Sequence, residues 1–189
     1  METVFFEEEF RNIDFASGKQ IGEEYEHCVF VNCNLAKADL SHIKLIECKF
    51  DACDFSGAKM GNTSFQDVKF KDCKLLGLHF EDCNPFLFAV NFEGCQINFS
   101  SFYKLSLKQT IFKDCIMQEV DFSAADLTNA SFNSCDLNGA IFENTLLEKA
   151  DFRTSYNYSI RPELNRIKKA KFSIQGLAGL LDKYDIIIE

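Results

Sequence analysis

An all-β fold is what this sequence predicts: a four-sided β-helix closed by a short C-terminal helix. Three observations point there. A five-residue unit repeats along most of the chain, clearest in Ala125-Asp126-Leu127-Thr128-Asn129-Ala130-Ser131-Phe132-Asn133-Ser134-Cys135-Asp136-Leu137-Asn138-Gly139-Ala140-Ile141-Phe142, with a large apolar centre at 127, 132, 137 and 142 and a small residue two positions before each. Of the 21 Phe, 17 fall on such centres, far more than a grid of one position in five collects by chance. All nine Cys occupy the small position, and one series, at 33, 53, 73, 95, 115 and 135, returns every 20 residues apart from a single step of 22.

A period of five suits neither standard element. Every fifth residue of an α-helix wanders around the axis, which advances about 100° per residue, and in a flat strand an odd period flips faces at each repeat. A chain that turns a corner every five residues removes the conflict. The centre and the small residue before it then both point inward, two apart as extended backbone requires, and the other three form the outer wall and the corner. The 20-residue return of the Cys series makes four repeats one coil. Stacked coils lie about 4.8 Å apart, so about eight of them give a rod on the order of 40 Å long.

Residues 1–26 read as an irregular cap and first coil. Phe5, Phe10, Phe15 and Tyr25 hold the grid but Gln20 interrupts it, and solenoids need atypical ends. Residues 27–172 are the regular β-helix. Its grid slips by two residues within 84–91, where Pro85 and the apolar Phe86, Leu87 and Phe88 suggest a bulge at a corner. The pattern weakens after Phe152 but returns in frame at Phe172. Ser173 then resembles an N-cap, and a helix over about 174–183 would place Leu177, Leu180, Leu181 and Tyr184 on one side. With Gly176 and Gly179 inside it, such a helix needs a docking surface. The open end of the coil is one, and together with the tail Ile186-Ile187-Ile188 it suggests end-to-end dimerisation over 173–189.

The net charge of −9 argues against direct nucleic-acid binding and for a basic partner surface or for solubility. No apolar run reaches the roughly 18 residues of a membrane span. The acidic start, with Glu2 and Glu7-Glu8-Glu9, is unlike a secretory signal, so a cytoplasmic location is expected. In a reducing compartment the Cys read as small core fillers. No C-x-x-C pair or zinc-like His spacing occurs, and no nucleophile–base order or Gly-rich phosphate loop stands out. The expectation is a binding protein that is not an enzyme and holds no metal or cofactor.

With small and large residues alternating on a five-residue grid, residues 28–152 resemble the pentapeptide-repeat proteins; Ala38-Asp39-Leu40, Ala125-Asp126-Leu127 and Ala150-Asp151-Phe152 carry the core motif. That resemblance implies a right-handed quadrilateral β-helix. The ending, with Ser155-Tyr156-Asn157-Tyr158, Pro162, Asn165 and Lys168 to Ser173 before an apolar helix, looks like the quinolone-resistance (Qnr-type) branch, in particular its chromosomal Gram-positive members. It implies a homodimer through the C-terminal end. It also implies binding, as a mimic of duplex DNA, to DNA gyrase or topoisomerase IV, with protection from quinolones. A general interaction scaffold with another protein partner is the alternative.

Charge along the chain points to one segment. Residues 114–151 hold Asp114, Glu119, Asp121, Asp126, Asp136, Glu143, Glu148 and Asp151 against Lys149 alone, whereas 27–113 holds nine acids and ten Lys. Asp126, Asp136 and Asp151 sit just before a centre, where Asp side chains bond corner backbone; Asp114, Glu119, Glu143 and Glu148 do not. Ile111, Ile116, Ile141 and Leu146 also occupy the outward position, and apolar residues beside acids suit a protein-binding surface. These eight acids are the expected partner-binding residues.

Overall fold

The protein was analysed as a computed structural model, which describes residues 4–17, 22–184, 186 and 187. Gln20 and Ile188 lie outside the described residues. Within them the chain is an all-β parallel solenoid, in which every backbone pairing joins a residue to the one a single coil further on. The offset is 20 residues, as in Phe10↔Phe30 and Phe112↔Phe132, and 22 where the slip intervenes, as in Phe70↔Phe92.

Each coil has four walls, which we number in chain order. The first wall is the main sheet. It runs from β2 (Glu9–Arg11) through β4 (Val29–Val31), β6 (Lys49–Asp51), β8 (Val68–Lys71), β9 (Val90–Glu93) and β10 (Ile111–Lys113) to β11 (Ser131–Asn133), each strand beside the next. The second wall has centres such as Phe15, Leu35, Phe55, Leu75 and Leu137. The third has Leu40, Met60, Phe80, Phe102, Phe122 and Phe142. Both are held by isolated parallel bridges such as Asn34↔Asp54 and Asp121↔Ile141. The fourth begins as a four-stranded sheet, β1 (Val4–Phe6), β3 (Glu24–Glu26), β5 (Lys44–Ile46) and β7 (Ser64–Gln66). The ragged sequence of residues 4–15 thus carries the same register as the coils that follow, with Val4↔Glu24 and Asp14↔Asn34 paired.

Corners explain the period. Among the described residues, twenty-four non-glycine residues have φ between 50° and 65°, and they recur at the second position after successive centres, as at Asn32, Lys37, His42 and Glu47. Left-handed backbone costs an L-residue roughly 1–2 kcal/mol. The corner N–H offsets part of this by donating to the coil beyond, as Asn32 does to Asp51 O at 2.9 Å and Asp114 to Asn133 O at 2.8 Å.

The interior is continuous. Along the first wall Phe30, Phe50, Phe70, Phe92, Phe112, Phe132 and Phe152 stack ring on ring at 4.5–5.4 Å. Phe80, Phe102, Phe122 and Phe142 stack likewise on the third wall. The two columns meet edge-on across the axis, Phe112 with Phe122 at 6.0 Å and Phe92 with Phe102 at 6.0 Å, so first and third walls are opposite sides of the square. The nine Cys are free, buried thiols in the corners of this core. Cys33, Cys53 and Cys73 donate to the carbonyls of Phe10, Phe30 and Phe50.

Two irregularities differ in detail from expectation. The slip interrupts the fourth wall rather than a corner alone. One coil beyond β7, the chain leaves the third wall through a 3-10 turn, Phe80–Asp82, and then bulges until Ala89 N–H reaches Phe65 O at 3.0 Å. Phe88 folds in against Phe65 and Phe80, while Phe86 and Leu87 stand out, 68% and 61% exposed. At the C-terminus, two short 3-10 segments, Leu177–Leu180 and Asp182–Tyr184, replace the single helix expected over 174–183. Ser173 Oγ accepts from Gly176 N–H at 3.1 Å in the turn before them, but Gly176, not Ser173, stands at the start of the first segment, which has no side-chain cap. The pair is pinned instead to the last coil, where Ile160 N–H donates to Gly179 O at 2.8 Å, a bond that a regular helix would have kept for itself.

Candidate functional site

The four-sided section sorts the eight nominated acids around the rod. Asp114 stands at the corner between first and second walls and Asp151 on the first. Asp136 is on the second and Glu119 at the corner between second and third. Asp121 and Glu143 share the third wall, Asp126 and Glu148 the fourth. They form a belt: Asp121 and Glu143 lie one coil apart on the third wall with Glu119 at its corner, and Asp126 and Glu148 stand in the same relation on the fourth.

Their chemistry also divides them. One carboxylate oxygen of Asp121, Asp126, Asp136 and Asp151 accepts the N–H two residues on, at 2.8, 3.1, 3.3 and 3.2 Å. This is the Asx turn by which such residues brace a corner. Asp151 is further engaged by Arg153 at 2.7 Å and Lys171 at 3.5 Å, and the Arg153 hydrogen bond leads in holding its pKa below the usual carboxylate range. Asp126 meets Lys108 at 3.2 Å. Asp136 is buried, which pushes its pKa up, but hydrogen bonds from Gln118 at 2.8 Å and Asn157 at 2.8 Å outweigh this and lower it. Glu143 pairs with Arg161. Among the described residues no ion pair within 4 Å engages Asp114, Glu119, Asp121 or Glu148.

Opposite walls carry opposite charge. Between residues 39 and 143 the outward positions of the third wall hold Asp39, Glu81, Asp121 and Glu143 against Lys59, and Glu119 flanks them. Between 29 and 133 the first wall holds Lys49, Lys69, Lys71 and Lys113 against Asp51 and Glu93. Summing charge along the chain hides this, because each coil contributes five residues to each wall in turn. Glu81 was missed for that reason: it lies 40 residues before Asp121 but only two coils away on the same wall. Phe99 and Tyr103, 59% and 41% exposed, stand beside these acids at the corner and on the wall, and Ile141, 45% exposed, is the in-register partner of Asp121. The other outward apolar residues are dispersed, Ile111 on the first wall, Ile116 on the second and Leu146 on the fourth.

The pentapeptide repeat region family model matches residues 24–85 and 86–157. The chain belongs to the pentapeptide-repeat family. No curated protein sequence matches it. Among solved structures, trypsin-treated QnrB1, a plasmid-mediated fluoroquinolone resistance protein, matches with a TM-score of 0.62 and 17% identity over 100% of this chain and 92% of that one. HetL, a pentapeptide-repeat protein involved in heterocyst differentiation regulation from the cyanobacterium Nostoc sp. strain PCC 7120, matches with a TM-score of 0.44 and 15% identity over 93% and 88%. For this pentapeptide-repeat protein the likeness to QnrB1 shows a shared fold along the whole chain.

The end of this pentapeptide-repeat rod is less covered than its middle. Leu180 packs against the core, whereas Leu177, Leu181, Tyr184, Ile186 and Ile187 are exposed, Ile187 to 89%. Ile174, outside the expected set, is 84% exposed. Among the described residues no group of three or more His, Cys, Asp or Glu could hold a metal ion, and no helix is long and apolar enough to cross a membrane.

Proposed function

We propose that the protein is a cytoplasmic, DNA-mimicking homodimer that binds DNA gyrase, or the related topoisomerase IV, and protects it from quinolones. The observation that carries this reading is the full-length fold likeness to QnrB1 joined to an acidic side wall on the rod. Glu119 and Asp121 share one coil and Glu143 lies on the next, about 4.8 Å away, with Glu81, which meets His79 at 3.0 Å, two coils before; a DNA strand carries one charge per about 3.4 Å. An enzyme surface built to grip phosphate meets a similar field. Ile141, Phe99 and Tyr103 add apolar contact that DNA lacks, which suits a protein partner. Asp114, Asp126, Asp136, Glu148 and Asp151 supply the surrounding field rather than the contact. In the same reading Leu177, Leu181, Tyr184, Ile186 and Ile187, with Ile188, join two copies end to end and Leu180 anchors the segment. The test is DNA supercoiling by purified gyrase in a fluoroquinolone with increasing amounts of the protein. Restored supercoiling supports the reading; absence of both rescue and inhibition at every concentration overturns it.

A further inference from the structure

The first wall carries a feature that the topoisomerase reading does not use. Lys49 and Lys69 are direct cross-strand partners in parallel register, both pointing outward, and Lys71 lies in the next outward column opposite Asp51. Like charges directly opposite one another destabilise a sheet. Of the two acids that flank Lys71 in that column, Glu93 is taken by Lys113 at 2.6 Å, and even with Asp51 the groove lining carries four Lys against two acids. Among the described residues no ion pair within 4 Å engages Lys49, Lys69 or Lys71. Between the two columns runs an open groove of about 420 Å³ along the rod axis, floored by backbone over the inward Phe50, Phe70 and Phe92. Val29 and Ile111 close its two ends with apolar side chains.

We propose that this groove docks an extended acidic peptide segment of a partner protein, laid lengthwise across β6, β8, β9 and β10. Charge decides the sign of the occupant, because an anion relieves the Lys49–Lys69 repulsion. Width decides its class. The columns are two residues apart along each strand, about 7 Å, which admits one extended chain. Both flanking corners are acidic, with Glu47 and Asp67 on one side and Asp72 and Asp114 on the other. A duplex, whose major groove alone is about 12 Å wide, would press its phosphates against those corners. Val29 and Ile111 then receive apolar residues flanking the acidic stretch. This wall is opposite the acidic one, so the rod can hold both partners at once.

The experiment is fluorescence anisotropy of the full-length protein with a labelled hexaglutamate peptide, repeated with a short DNA duplex. Saturable peptide binding at low salt is expected, weakened by salt and by about tenfold or more in Lys49→Glu/Lys69→Glu. The Lys59→Gln variant, on the opposite wall, should bind the peptide like the unaltered protein. The milder Lys49→Met/Lys69→Met pair keeps the stems that cover the wall and should also lose binding, which guards against misfolding of the reversed variant. No peptide binding, binding by both Lys variants as tight as that of the unaltered protein, or a duplex bound as tightly as the peptide would each overturn the proposal. Gyrase protection is read separately with Glu119 and Glu143, so failure of either idea leaves the other standing.

Discussion

The rings of Phe112 and Phe132 stack with centroids 4.9 Å apart and planes 9° from parallel, and both meet Phe122 of the opposite wall edge-on. All three side chains are fully buried. A rod of stacked coils has no second core to compensate, and each coil is held chiefly by its neighbours. Phe132→Ala should therefore cost about 3–5 kcal/mol, and Phe132→Leu, which keeps a large apolar centre, less than about 1.5–2 kcal/mol. Denaturant unfolding followed by far-UV circular dichroism measures both. A loss under about 1 kcal/mol for the alanine variant would mean that the interior collapses around the gap.

Buried thiols make the fold sensitive to alkali. Cys48 is fully buried, its Sγ donating to Tyr25 O at 3.3 Å, and burial pushes its pKa up to about 12. Burial raises Cys83 in the same direction. An unfolded thiol titrates near 8.5. A raised folded-state pKa means that the stabilisation is fully present below the unfolded value and is lost as pH climbs from about 8.5 towards 12. The urea midpoint should fall across that window, and less steeply in Cys48→Ala, whose small side chain matches the alanines of the same column at Ala130 and Ala150. Parallel decline in both proteins would assign the loss to other groups.

Much of this structure was legible because one chemical constraint repeats. A large residue every fifth position, a small one two before it and Cys returning every 20 residues leave only a four-cornered coil, and Phe30 to Phe152 occupy the walls that count implies. The surface was less legible. Neighbours on a wall are 20 residues apart, so a local window over 114–151 collected acids from all four sides. The corner bracing by Asp126, Asp136 and Asp151 was readable from their slot before a centre, but their side-chain partners Lys108, Gln118 and Arg153 were not. The C-terminal segment was misjudged in detail because the repeat carries no information there. Its shape is set by docking on Tyr158, a contact that local propensity does not encode.

If the third wall is the contact surface, charge reversal should separate it from the rest of the belt. Glu119→Lys/Glu143→Lys should raise the amount of protein needed for half-maximal gyrase protection by about tenfold or more. Glu143 is engaged by Arg161, so its reversal also frees that cation and deepens the effect. Asp126→Asn and Asp151→Asn remove charges already met by Lys108 and Arg153 and should shift protection by less than about threefold. Equal losses in both sets would move the contact away from the third wall. Circular dichroism of each variant controls for folding.

Gly179 decides whether the C-terminal segment can dock. A Cβ there would collide with the Tyr158 carbonyl oxygen and ring, both backbone or core groups that cannot give way, and a Cβ at Gly176 would meet the Tyr158 hydroxyl. Gly179→Val should therefore break the Ile160–Gly179 hydrogen bond and pull Leu180 from the core, while the coils up to Phe152 keep their own pairings. Size-exclusion chromatography with light scattering should find a dimer for the unaltered protein and a monomer for Gly179→Val, with the far-UV spectrum of the rod retained. Ala178→Val, an exposed neighbour, should leave the dimer intact. A monomeric unaltered protein, or a Gly179→Val variant that stays dimeric, would exclude this end as the junction between two copies.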